Sequence, residues 1–270
     1  MSREDDRVLR FYNEVLGLDH LHYGLWNEED ELTLSNLKEA QLRYENFLID
    51  RLPPSAQKVL DVGCGTSAMT RRMLSMGLDV HGLSPDETQK NNFTENLDAP
   101  FYHCRFEDFE PGERFDCLVM SESAQYIPYA QLFATAKKSL STGGFLMICD
   151  YFVLDNARGT MALSGHNLTK FRIESKKNGF KLMEERDLTD RVAKTLDLGN
   201  LLAHRILTGL DILTDKTRKK HPFLTRMAFR LFRKKWEKLN RERELLDSEQ
   251  FKSQKRYLFL LFQLSEASNA

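Results

Sequence analysis

The chain has 270 residues, a formal net charge of -1, 41% apolar and 29% charged residues. It is long enough for one sizeable core and too balanced for a disordered tail, and no run approaches the roughly 20 apolar residues of a membrane span. Cys64, Cys104, Cys117 and Cys149 show neither zinc spacing nor a secreted-type disulfide framework, so reduced thiols, a cytoplasmic location and no metal site are expected.

The first residues, MSREDDRVLRFY, carry charge where a signal sequence would have an apolar core. Residues 1–50 read as a helical cap, with Leu34, Leu37, Ala40, Tyr44, Phe47 and Leu48 recurring at helical spacing. From Lys58 short apolar runs alternate with helical stretches, which is the pattern of a parallel sheet covered by helices. The predicted strands are Lys58–Val62, Asp79–Leu83, Phe101–Arg105, Phe115–Met120, Phe145–Asp150 and Phe180–Arg186. The predicted helices are Ala68–Ser75, Asp86–Asn96, Tyr129–Leu140 and Asn167–Asn178. After Asp187 come about sixty helical residues, increasingly basic. Lys216 to Arg256 holds fifteen Lys or Arg against five Asp or Glu. A seventh strand-like run, Arg256–Phe262, follows. The expected organisation is a cap (1–50), an α/β core (51–188), a helical insertion or lid (189–250) and a final strand and tail (251–270).

The strongest local signal is Val59-Leu60-Asp61-Val62-Gly63-Cys64-Gly65-Thr66-Ser67, an apolar strand that runs into a glycine turn and then a helix. Glycines let backbone approach a ligand closely, and the amides of a helix start offer donors. Asp61 before the turn disfavours a bound pyrophosphate and suits a ligand bearing a cation. The dinucleotide fingerprint needs a third glycine and an acid at the end of the second strand, and neither is present.

At these residues the chain resembles the class I methyltransferases, whose first motif is an acid followed by x-Gly-x-Gly-x-Gly; Ser67 stands at the third glycine. The resemblance implies a Rossmann-like, doubly wound seven-stranded α/β sheet with S-adenosylmethionine as cofactor, held by Asp61, Gly63, Cys64 and Gly65. Gly82-Leu83-Ser84 with Gln89 is similar to the second-strand ending of the group containing cyclopropane-fatty-acid synthase, tocopherol and sterol methyltransferases. It implies that Ser84 and Gln89 face the ribose and adenosine. By the same resemblance Phe106 and Glu107 approach the adenine, and His22-Tyr23-Gly24-Leu25-Trp26 folds over the methionine end. Tyr23 and Trp26 are then lid contacts, with Tyr12 a second choice for the same task. Ser121 and Glu122 end the fourth strand, at the sheet edge where ligands bind in open α/β folds.

Methyl transfer from a sulfonium needs alignment and a dry pocket, plus a proton acceptor only when the nucleophile must lose a proton. His166, after the fifth strand, is the first candidate, with Glu122 and Tyr23 beside the reacting centre. Gln125, Tyr126, Tyr151 and His204 are candidates for the acceptor pocket. Gln125-Tyr126 stands where cyclopropane synthases carry Glu-His, which argues against that reaction. Arg226, Arg230 and Arg233, interleaved with Phe223, Met227, Phe229, Leu231 and Phe232, suit either an amphipathic acceptor or simple packing of a lid. The expected activity is methylation of carbon, nitrogen or oxygen in a small molecule, with a homo-oligomer allowed. The alternatives are an RNA methyltransferase using the basic helices and an inactive cofactor-binding regulator. Near-neutral charge and Ser121-Glu122-Ser123-Ala124 in place of Asn-Pro-Pro-Tyr argue against nucleic acid.

Overall fold

The computed structural model describes residues 17, 20, 22–220 and 244–265. Helix α1 (Leu34–Ile49) starts at Thr33, whose hydroxyl accepts the Asn36 amide and so satisfies one of the free donors of the first turn. The core follows as β1 (Lys58–Val62), α2 (Ala68–Ser75), β2 (Asp79–Leu83), α3 (Glu87–Asn96), β3 (Phe101–Tyr102), β4 (Phe115–Ser121), α4 (Tyr129–Ser139), β5 (Leu140–Val153), β6 (His166–Asn167), α5 (Leu168–Lys177) and β7 (Phe180–Asp187). A 32-residue helix, α6 (Thr189–Lys220), follows. After it come α7 (Ser248–Gln254) and β8 (Lys255–Leu264).

The sheet runs β3-β2-β1-β4-β5-β8-β7, with β6 as a two-residue addition on β5. Strands β1 to β5 are parallel. The last run inserts antiparallel between β5 and β7, so the seven expected strands are present and β6 makes an eighth. The third strand stops at Tyr102 rather than Arg105. It is an edge strand pairing only with Gly82 and Leu83, and the chain then turns into a short 3-10 segment at Phe106–Asp108.

Alternation along the strands builds two cores, one on each face. Leu60, Val62, Leu118, Met120, Leu146, Ile148, Leu260 and Phe262 pack with Phe133 of α4 and Phe171 of α5. Val59, Val80, Cys117, Val119, Met147, Cys149 and Phe259 pack with Tyr44 and Leu48 of α1, Met73 of α2, Val192 of α6 and Phe251 of α7. Phe115 lies on the first face and Cys117 on the second because a bulge between them breaks the alternation. Among the described residues no helix is long and apolar enough to cross a membrane. The stretch 221–243, with the arginines and aromatics at 223–233, lies outside the described residues, as does Tyr12.

Candidate active site

Strand β1 ends in the centre of the sheet, beside the point where strand order reverses between β1 and β4, which is where open α/β folds form a ligand crevice. The loop from Gly63 to Ser67 turns there through left-handed conformations: Gly63 has φ +76, Gly65 +56 and Ser67 +62. At Gly63 an added Cβ would sit 2.6 Å from Ser123 Cβ, whereas at Gly65 it would meet nothing within 4 Å. Gly63 is therefore required by packing, and Gly65 faces open space. The Gly65 amide donates to Gln89 Oε1 at 3.0 Å, and Gln89 is set by its own amide, which donates to the cap residue Asp86 at 2.7 Å. Ser84, buried at the end of β2, accepts the Asp86 amide at 3.1 Å. Ser84 and Gln89 thus shape the loop and the start of α3 together.

Asp61 is 2% exposed and accepts a hydrogen bond from Thr70 Oγ1 at 2.6 Å. Burial pushes its carboxyl up to about 6, the Thr70 bond opposing and the Glu45 charge adding. A buried acid that ionises with difficulty is stabilised by any cation placed beside it. Cys64, half-buried in the same loop, has its thiol pushed far up by burial and by the Asp61 charge, so it is no nucleophile at neutral pH.

A chain of hydroxyls closes the neighbouring edge. Tyr44 OH lies 3.0 Å from Ser121 Oγ, and Tyr257 OH donates to Glu122 Oε1 at 2.6 Å and lies 3.0 Å from Tyr44 OH. The same Glu122 oxygen accepts the Tyr23 amide at 2.8 Å, which ties the N-terminal segment to the end of β4. Glu122 has φ +55, a conformation that costs a non-glycine residue about 1 kcal/mol and is held by its surroundings. Burial raises its pKa, against the pull of His22, Tyr257 OH and the Tyr23 amide. The Tyr23 ring lies over Phe251 and Tyr257, at 6.2 and 5.5 Å between centroids.

Several expected residues sit elsewhere. Trp26, expected as a lid contact, is buried with Leu37, Ala40 and Leu198, and its Nε1 donates to Thr195 Oγ1 at 2.9 Å; its large ring is used to fasten the N-terminal segment to α1 and α6. Phe106, expected against the adenine, is a core ring packed with Leu60, Val62 and Phe109. Glu107 remains half-buried, 3.3 Å from Arg105 Nη1. His166, expected as proton acceptor, lies 5.4 Å from Phe171 and 5.6 Å from Tyr129 between ring centroids. Its Nε2 stands 2.8 Å from the Ala124 carbonyl, an atom that only accepts, so Nε2 carries a proton and the ring braces the turn after β4. Burial lowers its pKa. Tyr126 is 77% exposed and His204 lies on an exposed face of α6, so neither lines an enclosed pocket. The Gln125 amide donates to Asp150 Oδ2 at 3.0 Å, and Tyr151 stacks under Lys255, whose Nζ is 4.1 Å from the ring centroid.

A methyltransferase domain model matches residues 60–148. Tocopherol O-methyltransferase, chloroplastic, of Arabidopsis thaliana is 27% identical over 182 residues, covering 58% of this chain and 52% of that protein. Among solved structures, a candidate sarcosine dimethylglycine methyltransferase from Galdieria sulphuraria superposes with a TM-score of 0.74 at 16% identity, over 98% of this chain and 99% of that one. The cyclase SpnF superposes at 0.71 and 15% identity, over 98% and 96%. The segment from Leu60 to Ile148 is thus similar to a methyltransferase domain, and the chain shares its fold with these structures. It spans about half to two thirds of the length of the curated relatives it matches.

Sequence reasoning passed over Tyr257, Asp150 and Lys255. Asp150 is pushed up to about 8, first by burial and also by the Glu122 charge, while Lys255 is lowered to about 8 by burial. Lys255 Nζ donates to the Ser164 carbonyl at 3.0 Å. The signal was present: a lysine and a tyrosine near the start of a mostly apolar terminal strand, and an aspartate within a mostly apolar fifth strand. Charged residues at the carboxyl end of a buried strand are costly unless paired.

Proposed function

We propose that the chain transfers the methyl group of S-adenosylmethionine to a carbon, nitrogen or oxygen of a small molecule, in a cleft above the carboxyl ends of β1, β2, β4 and β5. The observation that carries this reading is the β1–α2 loop, where Gly63 and Gly65 curve beside the buried, incompletely satisfied carboxyl of Asp61. A ligand with an ammonium and a sulfonium supplies the cation that carboxyl lacks, and the open side of Gly65 gives its backbone room. Cys64, Ser84, Gln89, Glu107 and Ser121 surround the same crevice in this reading, with Tyr23 closing it.

Glu122 is the favoured proton acceptor. Its pKa is raised by burial, and the Tyr257 and Tyr44 hydroxyls beside it offer a path for a proton to spread. In this reading the described part of the N-terminal region, with α1, caps the crevice, and α6 and α7 contribute to selecting the acceptor. Such a fold also hosts other chemistry, since fold does not fix function, so the test must read transfer itself. Incubation with methyl-labelled cofactor and a metabolite extract, followed by mass analysis, is expected to reveal one labelled small product that disappears with Glu122→Ala. Label appearing in RNA and in no small molecule would reverse the reading. Cofactor binding with no labelled product from any pool would favour a regulatory role.

A further inference from the structure

Outside the cleft residues described so far, His20, His22 and Glu45 converge beneath the N-terminal segment. His20 Nδ1 lies 3.0 Å and His22 Nε2 3.6 Å from Glu45 Oε1, and the three candidate ligand atoms fall within 4.8 Å of one another. Glu45 is 3% exposed.

The hydrogen-bond pattern around His22 is the informative part. Its Nδ1 is 2.8 Å from the Tyr23 carbonyl, which can only accept, so Nδ1 carries the ring proton and Nε2 presents a lone pair in the neutral ring. That Nε2 is buried and makes no hydrogen bond, and at 3.6 Å the Glu45 oxygen is beyond normal hydrogen-bond reach. A lone pair therefore faces an anionic oxygen with space between them, an arrangement that a positive centre between the two would stabilise.

We propose that His20, His22 and Glu45 bind a divalent transition-metal ion of the zinc class. Two imidazoles and one carboxylate form a donor set of borderline softness that such ions prefer. In a tetrahedral site with bonds of about 2.0–2.1 Å, ligand atoms stand about 3.3 Å apart, so small rotations of the two rings complete the geometry. The outer contacts match those that orient metal ligands. The Tyr23 carbonyl fixes the His22 tautomer. Arg72 Nη1 binds Glu45 Oε2 at 3.2 Å, leaving Oε1 for the ion. Gln41 Nε2 holds the His20 and His22 carbonyls at 3.2 and 2.8 Å, and Tyr44 stacks on the His22 ring at 4.5 Å. The Arg72 charge opposes the cation, and the carboxylates of Glu45 and Asp61, which sense each other, offset it. His20 binds through Nδ1 as the tautomer that carries its proton on Nε2. A fourth position remains for solvent. The ion would clip the segment carrying Tyr23 onto α1.

The test uses metal-stripped full-length protein titrated with Co2+ and Zn2+. One equivalent of Co2+ is expected to bind saturably, with the strong visible absorption of a four-coordinate nitrogen–oxygen site, and one equivalent of Zn2+ is expected to displace it. His20→Ala, His22→Ala and Glu45→Gln should each weaken binding about tenfold or more, while His103→Asn should leave it unchanged. Imidazole resonances in the wild type provide a readout independent of variant folding: Zn2+ should shift two histidine rings and no others. Absence of saturable binding up to millimolar metal, equal affinity in the folded variants, or a His22 ring that stays doubly protonated under saturating Zn2+ would each overturn the proposal; in the last case a proton fills the gap.

Discussion

Replacing Asp61 by Asn separates the cost of this carboxylate in the free protein from its use with a ligand. Its carboxyl is raised from an ordinary 3.8 to about 6. At about 1.4 kcal/mol per pH unit, ionising it in the folded chain costs about 3 kcal/mol. Between the two values the unfolded chain has lost the proton and the folded chain has kept it, so stability falls as pH rises from about 4 to 6 and stays low above that. Asn retains an acceptor for Thr70 Oγ1 but adds an amide that needs a partner, at a cost of about 1 kcal/mol. The variant should therefore be about 2 kcal/mol more stable than wild type at pH 7 and, with only the amide cost left, up to about 1 kcal/mol less stable at pH 4 and below. Loss of the anion should also weaken S-adenosylhomocysteine binding about 10- to 100-fold, the value of a charge-assisted hydrogen bond. Urea unfolding at both pH values and calorimetry read the two halves. A gain equal at pH 4 and pH 7, or none at either, would refute the burial argument. Unchanged affinity would place the ligand elsewhere.

Further outcomes follow from the geometry. Gly63→Ala should destabilise by about 2 kcal/mol or more, because φ is +76 and the new Cβ would meet Ser123 at 2.6 Å; thermal unfolding checks this. Ser67→Gly relieves a left-handed serine at φ +62 and should change stability by no more than about 1 kcal/mol in the stabilising direction, since the gain is offset by unfolded-state entropy; a large loss would mean the hydroxyl holds the loop. Tyr257→Phe should cost about 1–3 kcal/mol by removing the hydroxyl shared by Tyr44 and Glu122, and should shift the pH dependence of turnover. Phe171→Ala should cost about 3–5 kcal/mol in urea titrations, as its ring is fully buried in the core.

The parallel core was legible because its strands alternate with helices at short spacing and each helix carries its own punctuation. Asp86 and Asn167 cap α3 and α5 through side-chain oxygens, and Gly179 leaves α5 with φ +84. Placement of the last strand between β5 and β7 was only partly legible, because an apolar run fixes burial on both faces and not its direction or neighbours. The turn from Gly63 to Ser67 was readable because its signal is local: a strand, two glycines and a helix start in one short run. His166 and Trp26 were not, since a His near a strand end and a Trp in an N-terminal motif look alike whether they face a crevice or a core. The Ala124 carbonyl and the Thr195 hydroxyl that decide the matter are 42 and 169 residues away in sequence. Lys255 escaped notice because its burial is visible only once β8 lies against β5.

The central claim is that the bend after β1 holds an S-adenosyl ligand, and a crystal of the protein grown with S-adenosylhomocysteine tests it most directly. The amino acid end should lie within hydrogen-bond reach of the Asp61 carboxylate or one water away, with backbone of Gly63 to Gly65 against the ligand. A fully occupied ligand bound at another surface, leaving that loop bare, would contradict the account.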